Sequence, residues 1–175
     1  MLDFTYMYFV FYNCFRLVVV CLHKTLVYDT NADPFTLAID TSTPLIDTHT
    51  YNNPKGLLSI CQQNSTEVYA FLGTNKGTIV IYRESFRKCV RISAHHAPLA
   101  ALALSFSGEY VSTASEKGTV IRVFDAVKGI MLHEFKRGST SVEVYTLAFS
   151  HDAQFLACTT AKETVHIFHN GTFTF

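Results

Sequence analysis

An internal repeat of about 40 to 45 residues constrains the fold of this chain more than any other sequence feature. The stretch at 76–82 (KGTIVIY) returns at 117–124 (KGTVIRVF) and again at 162–168 (KETVHIF). A second motif keeps a similar interval, with LSFS at 104–107 followed by LAFS at 147–150. Units of four short strands repeating at this interval are typical of β-propellers, in which each unit forms one blade. No stretch sustains the 3.6-residue period that a helical repeat requires.

The repeat predicts an all-β fold, a partial WD-repeat β-propeller of about four blades of four-stranded antiparallel sheet. The approximate blades lie at 16–49, 50–90, 91–132 and 133–175. A closed seven-bladed ring needs roughly 280 to 315 residues at this period. The 175 residues of the chain are therefore expected to be a fragment of a longer propeller.

An apolar and aromatic segment, residues 1–15, precedes the predicted blades and matches no part of the repeat. It leaves two interpretations open, a membrane-targeting segment and a pair of β-strands. Asn13 and Arg16 interrupt it before the roughly 20 apolar residues of a spanning helix, and Asp3 stands where a signal peptide carries basic residues. The strand interpretation, with a connection near Asn13, is favoured.

Composition and motif spacing argue against several classes of function. Fourteen basic residues balance 14 acidic ones, so no global field attracts nucleic acid. The five cysteines contain no C-x-x-C pair, which favours reduced thiols over a metal site, and no cofactor is expected. Ser150, His151 and Asp152 are consecutive and cannot converge as a catalytic triad does. We therefore predict a protein that is not an enzyme.

A short motif between two copies of the repeat, FKRG at 135–138, supplies two adjacent cations. Successive side chains of a β-strand point to opposite faces, so Lys136 and Arg137 can serve two separate anion sites. Hydroxyl and imidazole side chains in the flanking repeats could donate to a phosphate on either side. Taken singly, His95, His166 and Arg122 also fit structural roles in a propeller.

These motifs, taken in order, resemble those of the PROPPIN family, the phosphoinositide-binding propellers that include the WIPI proteins of autophagy. The resemblance covers about residues 16–170 and implies that the first, second and seventh blades are absent. It rests on the segments 17–22 (LVVVCL), 53–57 (NPKGL), 94–102 (AHHAPLAAL), 113–124, 135–138 and 165–168.

The resemblance also implies two headgroup sites. The first would draw on His95, Thr113, Ser115, Gly118, Thr119, Arg122 and Lys136, and the second on Arg137, Thr159, Thr160, Thr164 and His166. Gly138 would let the backbone approach the ligand. Lys136 stands where the family usually has arginine, so it keeps the charge but loses bidentate geometry. Histidines beside a phosphate should gain a proton readily, which predicts tighter binding at mildly acidic pH.

The function implied by the resemblance is that of a cytoplasmic, peripheral membrane effector or scaffold in autophagosome formation. Its ligands would be phosphatidylinositol 3-phosphate and 3,5-bisphosphate on preautophagosomal, endosomal or vacuolar/lysosomal membranes. Autophagy proteins are possible partners, although blades that bind them are expected to be missing, and nucleic acid is not an expected partner. The alternative is a propeller that acts as a protein-interaction scaffold without binding lipid.

Overall fold

The computed structural model describes residues 7–12, 16–29, 46–63, 66–86 and 88–171. The chain divides into two compact units, Met1–Leu57 and Leu58–Phe175. Within the described ranges the chain forms fifteen β-strands and one short 3-10 turn, Glu84–Phe86. The predicted all-β fold is confirmed, and the four antiparallel sheets are those of a partial β-propeller.

The first unit contains one four-stranded sheet, whose strands are neighbours in chain order. Its strands are β1 (Met7–Tyr12), β2 (Arg16–Cys21), β3 (Lys24–Asp29) and β4 (Ile46–His49). β1 pairs antiparallel with β2, so part of the predicted unmatched segment is a strand of this sheet. Residues 1–6 and 13–15 lie outside the described residues. Val18, Val20 and Val27 are almost completely buried, as β-branched residues of a two-sided sheet should be.

The second unit contains three sheets, each built of strands that pair with their neighbours in the chain. The second sheet comprises β5 (Leu58–Gln63), β6 (Thr66–Leu72), β7 (Thr78–Arg83) and β8 (Lys88–Ser93). The third comprises β9 (Leu99–Leu104), β10 (Tyr110–Ser115), β11 (Val120–Asp125) and β12 (Met131–Lys136). The fourth comprises β13 (Val144–Phe149), β14 (Phe155–Thr160) and β15 (Val165–His169).

An apolar core joins the third and fourth sheets. Ile121 and Val123 of β11 pack in one cluster with Leu156 and Cys158 of β14, and all four are nearly inaccessible. Full burial of each aliphatic side chain stabilises the fold by about 1.5–3 kcal/mol. Alternation along β11 sends the residues between them to the opposite face, towards the second sheet. This packing fixes which side chains of the repeat lie between neighbouring sheets.

The sheets do not begin and end where the repeat predicts. The expected boundary at 90/91 falls inside β8, and the boundary at 132/133 falls inside β12. Both strands are the last of their sheets and are largely exposed, so they lack the apolar pattern that marks the inner strands. In the fourth sheet the described strands run from 144 to 169.

Candidate anion-binding site

The two adjacent cations stand at the end of β12. Lys136 pairs with Val120 and shares a face with Glu134, because side chains two residues apart in a strand point the same way. It is exposed and has no ion-pair partner among the described residues. Arg137 follows the last residue of the strand and is half-buried. The surroundings of the two side chains therefore differ.

A cross-strand row on the third sheet joins Thr113, Arg122 and Glu134. Nε of Arg122 donates to Oε2 of Glu134 at 2.7 Å, and Nη1 donates to the Ala94 carbonyl at 2.6 Å. Oγ1 of Thr113 lies 3.0 Å from Nε2 of His95. Ala94 and His95 directly follow β8, so this face is turned towards the second sheet. The row contains Thr113 and Arg122 of the predicted first set, and a third member, His95, is bonded to it.

Burial decides what His95 can contribute. The residue is 8% exposed, and its partner Thr113 is completely buried. Burial, assisted by the nearby Arg122 charge, lowers the pKa of His95 to about 4. Without a ligand, His95 is therefore neutral at mildly acidic pH, and the tighter headgroup binding expected at that pH stays a prediction. A neutral imidazole bonded to a buried hydroxyl supports the row from within the protein.

The turn between β10 and β11 holds Arg137 from two directions. The Gly118 carbonyl accepts from Nε of Arg137 at 2.5 Å, and the Thr119 carbonyl accepts from its backbone N–H at 2.9 Å. The Thr140 carbonyl accepts from Nη2 at 2.5 Å. Two of the five guanidinium N–H groups are thus bonded to neutral oxygens, and no described carboxylate pairs with this side chain. Its charge is oriented without being neutralised.

Ser115, Gly118 and Thr119 lie in or beside this turn. Gly118 has φ +60°, and a Cβ added there would lie 1.8 Å from the Val142 carbonyl oxygen, so the passing loop requires glycine. The Gly118 N–H donates to the carbonyl of the buried Ser115 at 2.8 Å. Gly118 and Thr119 were predicted with the first cation, but they make these contacts with Arg137. They support the second cation.

A chain of hydrogen bonds crosses one face of the fourth sheet. The Thr160 and Thr164 hydroxyl oxygens lie 2.7 Å apart, and Oγ1 of Thr164 is 3.2 Å from Nε2 of His166. Thr160 is buried, Thr164 exposed and His166 half-buried. His166 pairs with Cys158, where burial raises the thiol pKa, and a hydrogen bond with the His166 backbone and the Arg137 charge oppose the rise. Thr160, Thr164 and His166 of the predicted second set are thus joined by one chain of contacts.

A one-residue difference between two hairpins selects the side chain that β15 presents on this face. In the third sheet Thr113 pairs with Arg122, whereas Cys158, at the equivalent repeat position, pairs with His166. The sequence repeat alone would have placed Ile167 there. A shift of one residue in register exchanges the two faces of a strand. His166 therefore holds the position in the fourth sheet that Arg122 holds in the third.

Thr159 does not belong with the other residues of the second set. It pairs with Thr146 and Val165, and its Oγ1 lies 2.8 Å from Oγ1 of Thr146. Neighbouring residues of a strand point to opposite faces, so Thr159 and Thr160 cannot share one site. Val165, beside Thr159, is 65% exposed. The predicted grouping of Thr159 with Thr160 is corrected accordingly.

Gly138 follows the two cations in the chain, and Glu163 occupies the repeat position of Gly118. A Cβ added at Gly138 would meet no atom within 4 Å, so the space beside this backbone is open. Glu163, the counterpart of Gly118, has φ +57° and is exposed. It has no ion pair with Arg137. The acid that replaces glycine in the second repeat therefore leaves the Arg137 guanidinium unneutralised.

Sequence reasoning missed two residues of this region. Glu134 neutralises Arg122, and Thr140 supplies a carbonyl to Arg137. The first was detectable, because a residue two positions before Lys136 in a strand must share its face. The second had a weaker signal, the run of small hydroxyl residues at 139–141 directly after FKRG. Backbone carbonyls carry no side-chain signature.

No group of three His, Cys, Asp or Glu side chains in the described part of the chain could hold a metal ion. Over the same residues, no helix has the length and apolar character needed to cross a bilayer.

The fold and the repeated hairpins define the class of this protein, a WD-repeat β-propeller of which the chain supplies a part. The family model PROPPIN matches residues 5–174, which includes most of the segment expected to be unmatched. The chain therefore belongs to the PROPPIN family.

Two curated relatives illustrate the similarity. Autophagy-related protein 18 of Vanderwaltozyma polyspora is 48% identical over 97 residues, which is 55% of this chain and 17% of that protein. WD repeat domain phosphoinositide-interacting protein 1 of Xenopus laevis is 37% identical over 154 residues, 86% of this chain and 34% of that protein. The chain thus spans about a third or less of these curated relatives.

Two solved structures share the fold. Hsv2 of Kluyveromyces marxianus aligns with a TM-score of 0.74 and 26% identity, covering 95% of this chain and 50% of that chain. KlAtg21, solved in complex with the coiled coil of AgAtg16, aligns with a TM-score of 0.67 and 25% identity, covering 93% and 52%. The chain corresponds to about half of each.

Proposed function

We propose that this chain binds phosphoinositide headgroups through Lys136 and Arg137 and acts as a peripheral membrane effector in autophagy. The observation that carries the proposal is the pair of cations at the end of β12, neither of which meets a carboxylate within the described residues. Arg137 is half-buried, and such a charge without a counter-ion is costly, so a phosphate would relieve it. Lys136 is exposed and offers an accessible charge for a second contact. The name of the Xenopus relative, a phosphoinositide-interacting protein, supports the same ligand class.

The accessible groups would make the direct contacts. On the first side these are Lys136 and Arg122, and on the second side Arg137, Thr164 and His166. The buried residues His95, Thr113, Ser115 and Thr160 would position them, and Gly138 would leave room for the headgroup. The ligands would be phosphatidylinositol 3-phosphate and 3,5-bisphosphate, as the resemblance to the family implies.

Liposome flotation tests the proposal. Vesicles of phosphatidylcholine with and without phosphatidylinositol 3-phosphate are mixed with the protein and with the double variant Lys136→Glu/Arg137→Glu. The wild type should float only with the phosphoinositide, and the variant should stay in the soluble fraction. Lys128→Glu is the single-reversal control, because Lys128 is exposed at the opposite end of the third sheet. Equal flotation of the wild type and the double variant would refute the lipid site.

A protein-interaction scaffold is the second candidate function. The KlAtg21 structure, which contains a coiled coil of a second protein, favours it. The same double variant separates the two functions, since a scaffold should keep its protein partners after charge reversal. Loss of both lipid and protein binding, with an unchanged circular dichroism spectrum, would indicate that one surface serves both.

A further inference from the structure

A groove in the second unit lies apart from the cations of β12. It has a volume of about 260 Å³ and lies between the β7–β8 hairpin and the turn after β11. Its lining combines apolar side chains with two cations, and it includes Arg83, Phe86, Lys88, Val90, Ala126 and Val127. We call it the basic groove. Small-molecule sites usually enclose roughly 300–1,000 Å³, so this volume suits one or two side chains.

The two cations of the basic groove lie opposite each other on neighbouring strands. Arg83 and Lys88 are direct register partners on β7 and β8. Such partners have Cβ atoms only about 4.5–5.5 Å apart, and like charges in this arrangement destabilise a sheet. Arg83 donates from Nη2 to the Gly108 carbonyl at 2.7 Å, which leaves its charge uncompensated. Neither cation has a carboxylate partner in the described ranges.

Asp125, which directly precedes the groove residues Ala126 and Val127, is already engaged. Oδ1 of Asp125 accepts from the backbone N–H groups of Val127 and Lys128, both at 2.8 Å. Its Oδ2 lies 3.8 Å from Nζ of Lys128. Asp125 thus organises its own turn and does not neutralise Arg83 or Lys88. A site with two like charges and no counter-ion favours an anionic ligand.

The apolar surface beside the two cations further restricts the class of ligand that would fit the groove. Phe86 is 72% exposed and Val127 is 51% exposed, although both border the groove. A simple inorganic anion would leave this surface in water. A ligand that pairs a carboxylate with a bulky apolar group would satisfy both features at once.

The edge of the second sheet offers a backbone partner as well. β8 is the last strand in the order of this sheet, so one side of it has no strand neighbour among the described residues. An extended peptide can add to such an edge by main-chain hydrogen bonds. Side chains two apart in that peptide would share the face towards the groove, as Lys88 and Val90 do.

We propose that the basic groove binds an extended acidic peptide segment of a protein partner, in which an acidic residue stands two positions from a bulky apolar one. The groove lies at the Arg83–Lys88 end of β7 and β8, whereas His95 follows the opposite end of β8. Strands of this length separate the two ends by about 20 Å. A partner in the groove and a headgroup at the cations could therefore bind at the same time.

Fluorescence anisotropy with a synthetic probe tests this site. The probe is a rhodamine-labelled ten-residue peptide of glutamate and leucine residues separated by single serines, and its matched control has glutamine in place of glutamate. We expect the wild type to bind the acidic peptide at least fivefold more tightly than the control. Raising the salt concentration should reduce the difference, because the contact is between charges.

Variants separate the groove from unspecific attraction. The double variant Arg83→Gln/Lys88→Gln should lose the preference for the acidic peptide. The single variant Lys88→Gln, at an exposed position, should lose part of it. Lys162→Gln, an exposed cation of the fourth sheet, should bind as the wild type does. Circular dichroism establishes that each variant is folded.

Three outcomes would overturn the proposal. One is the absence of saturable binding to either peptide, and another is equal affinity for both. The third is a double variant that keeps its peptide binding but loses binding to phosphatidylserine vesicles without phosphoinositide, which would assign the groove to a lipid surface.

Discussion

At the scale of single residues, the candidate site depends on whether each charge is already satisfied. Arg122 is bonded to Glu134 and to a backbone carbonyl, whereas Lys136 is exposed and has no described ion-pair partner. His95 is held neutral inside the protein by burial. A phosphate must therefore compete with Glu134 at one cation and meets no such competition at the others.

The charge of Glu134 should limit headgroup affinity. Glu134→Gln keeps a hydrogen-bond acceptor for Arg122 but removes the negative charge, so affinity for phosphatidylinositol 3-phosphate vesicles should rise roughly two- to fivefold. Surface plasmon resonance on supported bilayers measures the change. Glu109→Gln is the matched control, since Glu109 is exposed near the other end of the third sheet. An unchanged affinity for Glu134→Gln would place Arg122 outside the headgroup contact.

His95 should make stability depend on pH in a defined window. Its folded pKa of about 4 lies below the ordinary 6.5, so the unfolded chain binds the proton first as the pH falls. The stabilising contribution is complete above about pH 6.5 and decreases towards pH 4, by up to about 1.4 kcal/mol per pH unit. Urea unfolding of wild type and His95→Gln at pH 7, 6 and 5 tests this. The difference in the free energy of unfolding between the wild type and His95→Gln should become smaller as the pH falls. The same pH dependence for both proteins would contradict the prediction.

At the scale of elements, the hairpins between the second and third strands of each repeat decide what the site contains. In the third sheet the turn at Gly118 supplies carbonyls to Arg137 and lies directly under the loop at Val142. In the fourth sheet Glu163 of the corresponding turn adopts the left-handed region. The register of β15 on β14 is shifted there by one residue relative to that of β11 on β10. The same motif therefore builds two different faces.

Gly118 and Gly138 should respond differently to the same substitution. Gly118→Ala combines an unfavourable φ with a clash against the Val142 carbonyl, so the free energy of unfolding should fall by at least ~2 kcal/mol. Gly138→Ala has open space around the new methyl group and should change it by less than about 1 kcal/mol. Thermal or urea unfolding measures both. An equal decrease in the free energy of unfolding for both variants would contradict this, because it would mean that the Val142 loop moves away from a side chain at Gly118 at no energetic cost.

The sequence predicted strands and repeats well because both have a clear periodic signal. Lys136 could be assigned a face from alternation alone, once β12 was recognised. His166 was assigned to the second site through the resemblance to a family, and its place opposite Cys158 depends on the register of a single hairpin. Register within a hairpin depends on turn geometry, and the partner of Arg122 depends on a contact across two strands. Neither is encoded in a local pattern of hydrophobic residues.

At the scale of the whole molecule, the chain is a set of repeated sheets that matches one family model along almost its entire length. It spans about half of the related solved structures and a smaller share of the curated relatives. Within the second unit, the cations of β12 and the basic groove stand at opposite ends of their sheets. One unit thus has room for a membrane and a protein partner.

Two separate headgroup sites should appear as two binding equivalents. Isothermal titration calorimetry with soluble inositol 1,3-bisphosphate should give about two ligands per wild-type chain and about one for Lys136→Glu or Arg137→Glu alone. On vesicles, each single change should weaken binding more than tenfold, because two linked contacts reinforce each other. One equivalent for the wild type would mean that the adjacent cations serve a single ligand.

The register of β15 implies that the chemistry of a blade face can be rewritten without replacing any of its side chains. Removing one residue from the turn at 161–164, while the loop keeps its length, would shift the register of β15 by one residue and bring Ile167 opposite Cys158 in place of His166. The polar face of the strand would then become apolar through the removal of one turn residue alone. Among propellers of this kind, small insertions and deletions at the rim are therefore a direct route to new ligand preferences.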